Sequence, residues 1–382
     1  MKFFRVEKNT ALVVLAAAFI GFCLANSSLA GWMVNLASLP LPVASLNLNL
    51  SLQGWIEDFV LVGFFFLVGL ELKHELVAGS LKNPARLLVP SLAAILGVAV
   101  PALTYIALTA GHPELFRGWP IPTATDVTFS LAVFLIFGSR MPKSARTFLL
   151  AFAIIDDMLA ILIIAVFFGG SLNPVFLASA AFLALGFWYL AKIGANAWIL
   201  VALGLCVWYL TLEGGIHPTI AGVALALLIP KDKLARTTEL LHPWIGALVL
   251  PVFAFFAAAI PLAGIASALA SPIFLAVMLR PLGKIIGVFS GAMIGVRVLG
   301  TRADQTVSKV DYLVTSTMGG IGFTVALLVS SLSFPPGSTE RNSAAIATLF
   351  SALVSMGIAA VALRLRSQHL ARQTPVSNQG LD

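Results

Sequence analysis

The chain reads as an all-α polytopic membrane protein, and three observations predict this. It is 59% hydrophobic and only 10% charged, with a mean hydropathy of +1.00, more apolar surface than a soluble domain can hide. Apolar runs recur from Ala11 to Leu363 with short polar breaks between them. The basic residues in those breaks alternate from side to side. A helix needs about 20 residues to cross a hydrocarbon core about 30 Å thick, which gives about twelve transmembrane helices. They are placed near 11–31, 59–79, 88–110, 121–140, 147–169, 175–193, 197–212, 216–230, 243–262, 272–296, 312–333 and 343–363. The spans use most of the chain, so residues 1–382 read as one integral membrane domain. No room remains for a soluble catalytic domain, and the reading is neither an enzyme nor a cofactor protein.

The net charge of +7 does not point to nucleic acid, because no basic patch forms. One side collects Lys2, Arg5, Lys8, Lys73, Lys82, Arg86, Arg140, Lys143, Arg146, Lys192, Lys231, Lys233, Arg236, Arg297, Arg302, Lys309, Arg364, Arg366 and Arg372. The other side holds only Arg117 and Arg341. The positive-inside rule therefore predicts both termini in the cytoplasm and an even number of spans.

The first span follows Lys2, Arg5 and Lys8 and ends in "SSLAG", so a signal peptide cleaved at Ala30 is the alternative reading. Residues 32–58 then form an extracytoplasmic loop. Within it "SLNLNLSLQGW" (45–55) alternates apolar and polar with period two, and "LPLP" before it can turn. A small β-hairpin with an open edge is expected, able to pair with a second copy through residues 45–55; the alternative is a loop or an amphipathic segment on the bilayer. Cys23 and Cys206 fall in apolar spans and read as small core residues, neither a disulfide nor a metal pair. Residues 365–382 read as a disordered cytoplasmic tail.

The fourth span opens "GWPIPTATDVTFSLAVF", where Thr123, Thr125 and Asp126 stand ahead of an apolar run as a helix N-cap would. If that cap lies inside the membrane, the span is broken there and Asp126 offsets the positive helix end. Otherwise the helix simply starts here, at the interface. The fifth span holds "AIIDD". Asp156 and Asp157 sit where one charge costs at least ~2.5–3.5 kcal/mol to insert. Neighbours on a helix diverge by about 100°, so the two can line one side of a cavity, or one can face it while the other pairs with a cation. Exchange of protons for a small cation would relieve their repulsion.

In the tenth span, "MLRPLGKIIG" puts Arg280 and Lys284 on one helix face, with Pro281 and Gly283 favouring a kink. Either cation can meet an aspartate in a helix-packing salt bridge; only Lys can give up its proton. In the eleventh, "TSTMGGIGFTVALL" carries Gly319, Gly320 and Gly322 with Thr324, which allows unwound backbone or an ordinary close-packing face.

Two buried aspartates also occur in intramembrane proteases, but those need them on separate helices facing each other, and no "GxGD" occurs here. A proton-coupled carrier for an organic solute would need a larger pocket. A passive cation channel would need no proton-linked carboxylates.

"TATD", "AIIDD", "GIHPTIAGV", "LHPW", "RPLG", "GGIGFT" and "FLVGLELKHEL" (66–76) together resemble the bacterial NhaA sodium/proton antiporters, in the same order over roughly residues 8–365. The resemblance implies twelve helices, with spans 3–5 and 10–12 as inverted repeats and spans 4 and 11 broken and crossing near the midplane. It implies that Asp157 carries cation and proton, and that Asp156 is its partner, released from a basic residue when sodium binds. Asp126, with Thr125 beside it, would compensate the half-helix ends. Glu71, His217 and His242 match positions tied to the cytoplasmic mouth or to pH response. The implied activity is electrogenic, pH-regulated export of sodium or lithium against protons across a bacterial inner membrane. Two departures stand out. The family's lysine directly before "PLG" is Arg280 here, with Lys284 one turn on. Thr238 and Glu239 stand where Glu then His is common.

Overall fold

The computed structural model describes residues 7–43, 46, 48–77, 84–262, 265–300 and 306–373. Among them every regular element is helical. The helices are α1 Glu7–Ala25, α2 Ala30–Ala37, α3 Leu52–Trp55, α4 Leu61–Val77, α5 Pro84–Leu108, α6 Val127–Phe137, α7 Lys143–Phe167, α8 Pro174–Ile193 and α9 Ala197–Glu213. They continue as α10 Thr219–Leu228, α11 Lys231–Trp244, α12 Leu250–Ala257, α13 Ile265–Ala270, α14 Pro272–Met278, α15 Arg280–Leu299, α16 Lys309–Ser316, α17 Thr324–Ser333 and α18 Thr339–Gln373. A π-helical turn, Ile56–Val60, joins α3 to α4, and another, Ile245–Val249, joins α11 to α12.

Among the described residues six helices are long and apolar enough to cross a membrane, or up to nine if each bent pair counts as one span. The expected count of about twelve goes further than this. The ninth span differs most, since its helix runs unbroken over 231–257. Residues 39–52 make two isolated antiparallel bridges, Pro40 to Ser51 and Val43 to Leu48, with no strand; Ser45 and Asn47 of the expected hairpin lie outside the described residues. The last helix runs to Gln373, where Arg366 bonds Asp311 at 2.8 Å. Only 374–382 of the expected tail lie outside the described residues. Cys23 and Cys206 are exposed, not core. A lipid-facing surface is as apolar as a core, so hydropathy alone does not separate the two.

The helices pack as two bundles. One contains α5, α6, α7 and α14 to α18; the other contains α4 and α8 to α12, with α1 lying against α12 and α6. In the first bundle α5 and α15 approach closely. A Cβ on Gly287 would stand 2.2 Å from Leu96 O, and one on Gly291 2.2 Å from Leu92 O. That spacing of small residues brings two backbones into contact and fixes the height of α15 against its neighbours.

Candidate functional site

Two segments of the first bundle are bent at short extended breaks. Residues 113–123 and 127–137 meet at 42°, and 309–320 and 324–333 at 47°. The breaks touch. Asp126 N donates to Ile321 O at 2.6 Å, Thr125 Oγ1 to Gly319 O at 2.7 Å, and Ser130 Oγ to Met318 O at 3.0 Å. Ser355 Oγ from α18 donates to Gly320 O at 2.8 Å. Gly322 is required by this contact, since a Cβ there would lie 2.2 Å from Ala124 O.

The crossing brings four helix ends together, and buried polar groups satisfy them. The Asp126 carboxylate accepts from Phe129 N at 3.4 Å, at the start of α6, and from Thr324 Oγ1 at 2.7 Å and Thr324 N at 3.3 Å, at the start of α17. One carboxylate thus caps two N-termini, where an anion is favoured. Arg280 lies on the other side. Its Nη1 would be 3.0 Å from a Cβ on Gly322, and its Nη2 donates to Thr348 O at 3.3 Å. Among the described residues its Nε and Nη1 have no hydrogen-bond partner. Arg280 is therefore a buried cation at the crossing, beside Gly322 and bonded to the α18 backbone at Thr348 O.

Asp156 and Asp157 stand next to the crossing on α7, and they are treated differently. Asp156 is 0% exposed and bonded through both oxygens to Lys284 Nζ, at 2.7 and 2.9 Å. Thr125 lies against the same carboxylate. Asp157 makes no ion pair and no side-chain hydrogen bond among the described residues. It borders a small gap with Phe64, Phe65, Val68, Ala160, Ile161 and Val325. The cation that reaches Asp156 is Lys284, not Arg280. The two side chains are four residues apart on one face, and the nearer to Asp156 is set by how deep α15 sits against α5.

A cavity of ≈ 560 Å³ opens between the bundles. Glu71, His74 and Glu75 of α4, Thr238, Glu239 and His242 of α11, and Val127, Thr128, Leu150 and Ile154 of the first bundle line it. Phe64 and Val68 border both this funnel and the gap at Asp157, so they stand between water and the carboxylate. Sequence reasoning named neither; apolar residues in an apolar span carry no mark. Of the three residues expected at the mouth or in pH response, Glu71 and His242 line the funnel. His217 does not. It sits beside α10's start, Nδ1 2.8 Å from Thr219 Oγ1 and Nε2 3.6 Å from Asp58 Oδ1.

Among the described residues no group of three or more His, Cys, Asp or Glu could hold a metal ion. The arrangement is instead one carboxylate without an ion partner among the described residues, at a gap that shares Phe64 and Val68 with the funnel, and a second bonded to Lys284.

Known proteins match along the whole chain. The profile described as "Na+/H+ antiporter 1" matches residues 1–363. A protein of Clavibacter michiganensis named Na(+)/H(+) antiporter NhaA 2 is 41% identical over 379 residues, covering 96% of this chain and 92% of its own. The Na(+)/H(+) antiporter NhaA of Nocardia farcinica is 37% identical over 391 residues, covering 99% and 94%. The solved sodium proton antiporter MjNhaP1 of Methanocaldococcus jannaschii has a similar fold, with a TM-score of 0.52 at 16% identity, over 94% of this chain and 100% of that one.

Proposed function

The chain belongs to the Na+/H+ antiporter 1 family, and from that premise we propose that it exports sodium or lithium in exchange for protons at Asp156 and Asp157. The observation that carries the reading is the unequal state of the two carboxylates. Asp157 borders a small gap separated from the funnel by Phe64 and Val68, while Asp156 is held by Lys284.

Sodium is a hard ion that needs oxygen ligands in place of its water. Asp157 supplies the first on the water-accessible side. Asp156 supplies the next once it leaves Lys284, and retained water fills the remainder. Protons compete for the same oxygens, so the two flows are coupled without both guests being bound at once. Breaking a buried pair by taking away one partner costs about 3–5 kcal/mol. Sodium binding must offset that cost, so an empty site closes back onto Lys284. Alternating exposure of the pair to the two sides turns the competition into exchange.

The cycle is electrogenic if two protons move per sodium. It is pH-regulated because protons displace the cation at low pH, and Glu71, His74, Glu75, Glu239 and His242 set the charge of the funnel. The alternation of basic loops supports a cytoplasmic funnel end and cytoplasmic termini, in a bacterial inner membrane. A homodimer through residues 45–55 completes the reading.

The test is dye dequenching in everted vesicles on adding sodium, lithium or potassium. Sodium and lithium are expected to release the proton gradient and potassium not to. Asp157→Asn is expected to abolish the response, and full retained exchange would end the assignment.

A further inference from the structure

The funnel lies between the two bundles at one end, and an ion pair joins the bundles towards the opposite end. Glu57 is in the π-helical turn ahead of α4, 14 residues before Glu71 on the funnel wall, so roughly 21 Å away along a continuous helix at 1.5 Å per residue. At that far end Arg341 Nη2 of α18 donates to Glu57 Oε1 at 3.0 Å. Both side chains are 15% exposed. Gln53 Nε2 donates to the same Glu57 oxygen at 2.9 Å. Arg341 is anchored in turn, since its N–H donates to Ser338 Oγ at 3.1 Å.

The placement of the other ion pairs gives this one its meaning. Lys284–Asp156 and Arg366–Asp311 lie within the first bundle, and His217–Asp58 lies within the second. Glu57–Arg341 joins the two bundles, between residues 284 positions apart. A site that must face the far side requires the bundles to part there, and this contact cannot survive that parting. A contact made in one state only biases the balance between states by its own free energy.

We propose that Glu57 and Arg341 form a latch that keeps the far end closed while the funnel is open. The proposal rests on the antiport reading of the site. The latch favours the funnel-open state, sets how often the carboxylates reach the far side, and re-forms on each return. Gln53 holds the Glu57 carboxylate, and Ser338 fixes the backbone at Arg341.

The test uses the full chain with Cys23→Ser and Cys206→Ser. Glu57→Cys with Arg341→Cys is joined in proteoliposomes by a short, reducible bis-thiosulfonate reagent. Exchange is expected to stop when the bridge forms and to return with reductant. Exchange that continues across an intact bridge overturns the latch. A protein that exchanges nothing before bridging contradicts the antiport reading instead, and the latch is then read by deuterium exchange. Glu57→Gln and Arg341→Gln are each expected to raise uptake over 56–61 and 324–333 about three- to tenfold, as loss of a partly buried ion pair would. The double variant is expected to add little, and Glu57→Arg with Arg341→Glu to restore protection. Unchanged uptake in the single variants overturns the proposal.

Discussion

Two buried cations one helical turn apart do different work. Lys284 is the ionic partner of Asp156, and Arg280 touches no carboxylate among its hydrogen bonds but lies by Gly322 and Thr348 at the crossing. The resemblance pointed to position 280 for the basic partner, while the spacing allowed either residue. Sequence could not choose between them, because Arg280 and Lys284 share a face and the choice depends on packing of α15 against α5. The pair is a buried ion pair, and its loss bears on stability as well as on the proposed exchange. Lys284→Met leaves a carboxylate buried without its cation and is expected to lower stability by about 3–5 kcal/mol. Adding Asp156→Asn removes the orphan charge and is expected to recover most of the loss. Arg280→Lys keeps a cation at the crossing and is expected to leave the pair intact. Thermal unfolding of the four proteins in detergent checks this, and a double variant no more stable than Lys284→Met would contradict it.

At the scale of elements, the crossing is the part most legible in sequence. "TATD" carried a cap signal and "GGIGFT" a glycine signal, and the structure joins them: Asp126 caps its own α6 and reaches Thr324 of the other break. The cap followed from local chemistry; the reach across nearly two hundred residues did not, because nothing local encodes it. The glycines also separate by role. At Gly322 an added Cβ would press on Ala124 O at 2.2 Å, a backbone atom that cannot move aside, whereas at Gly186 nothing lies within 4 Å. Gly322→Ala is therefore expected to cost at least about 1–3 kcal/mol by overpacking and to impair exchange by displacing the crossing. Gly186→Ala, in the interior of α8, is expected to be neutral or to stabilise by up to about 1 kcal/mol. Melting temperature and sodium-driven dequenching measured on both variants check the contrast.

The whole molecule is two bundles with a funnel between them and the Glu57–Arg341 ion pair joining them. Hydropathy made the membrane class plain, and the loop charges predict which end faces the cytoplasm. Neither could show the funnel, because its walls come from α4, α6, α7 and α11, distant in sequence and ordinary in composition. The orientation can be tested on a residue that only the fold identifies. Thr238 lies on the funnel wall, part-buried, with its hydroxyl bonded to Leu234 O at 3.0 Å within its own helix, so a smaller thiol there disturbs little. Thr238→Cys in the Cys23→Ser, Cys206→Ser background is expected to react with a membrane-impermeant maleimide in everted vesicles and to stay unmodified in right-side-out ones. Glu71 shares the funnel wall with Thr238, and Phe64 and Val68 border both the funnel and the gap at Asp157, so on the antiport reading a cation crossing to the carboxylates passes the labelled wall. Labelling is therefore expected to slow sodium exchange as well. Labelling in right-side-out vesicles and none in everted ones would reverse the assigned orientation, because Thr238 lies on the wall of the funnel.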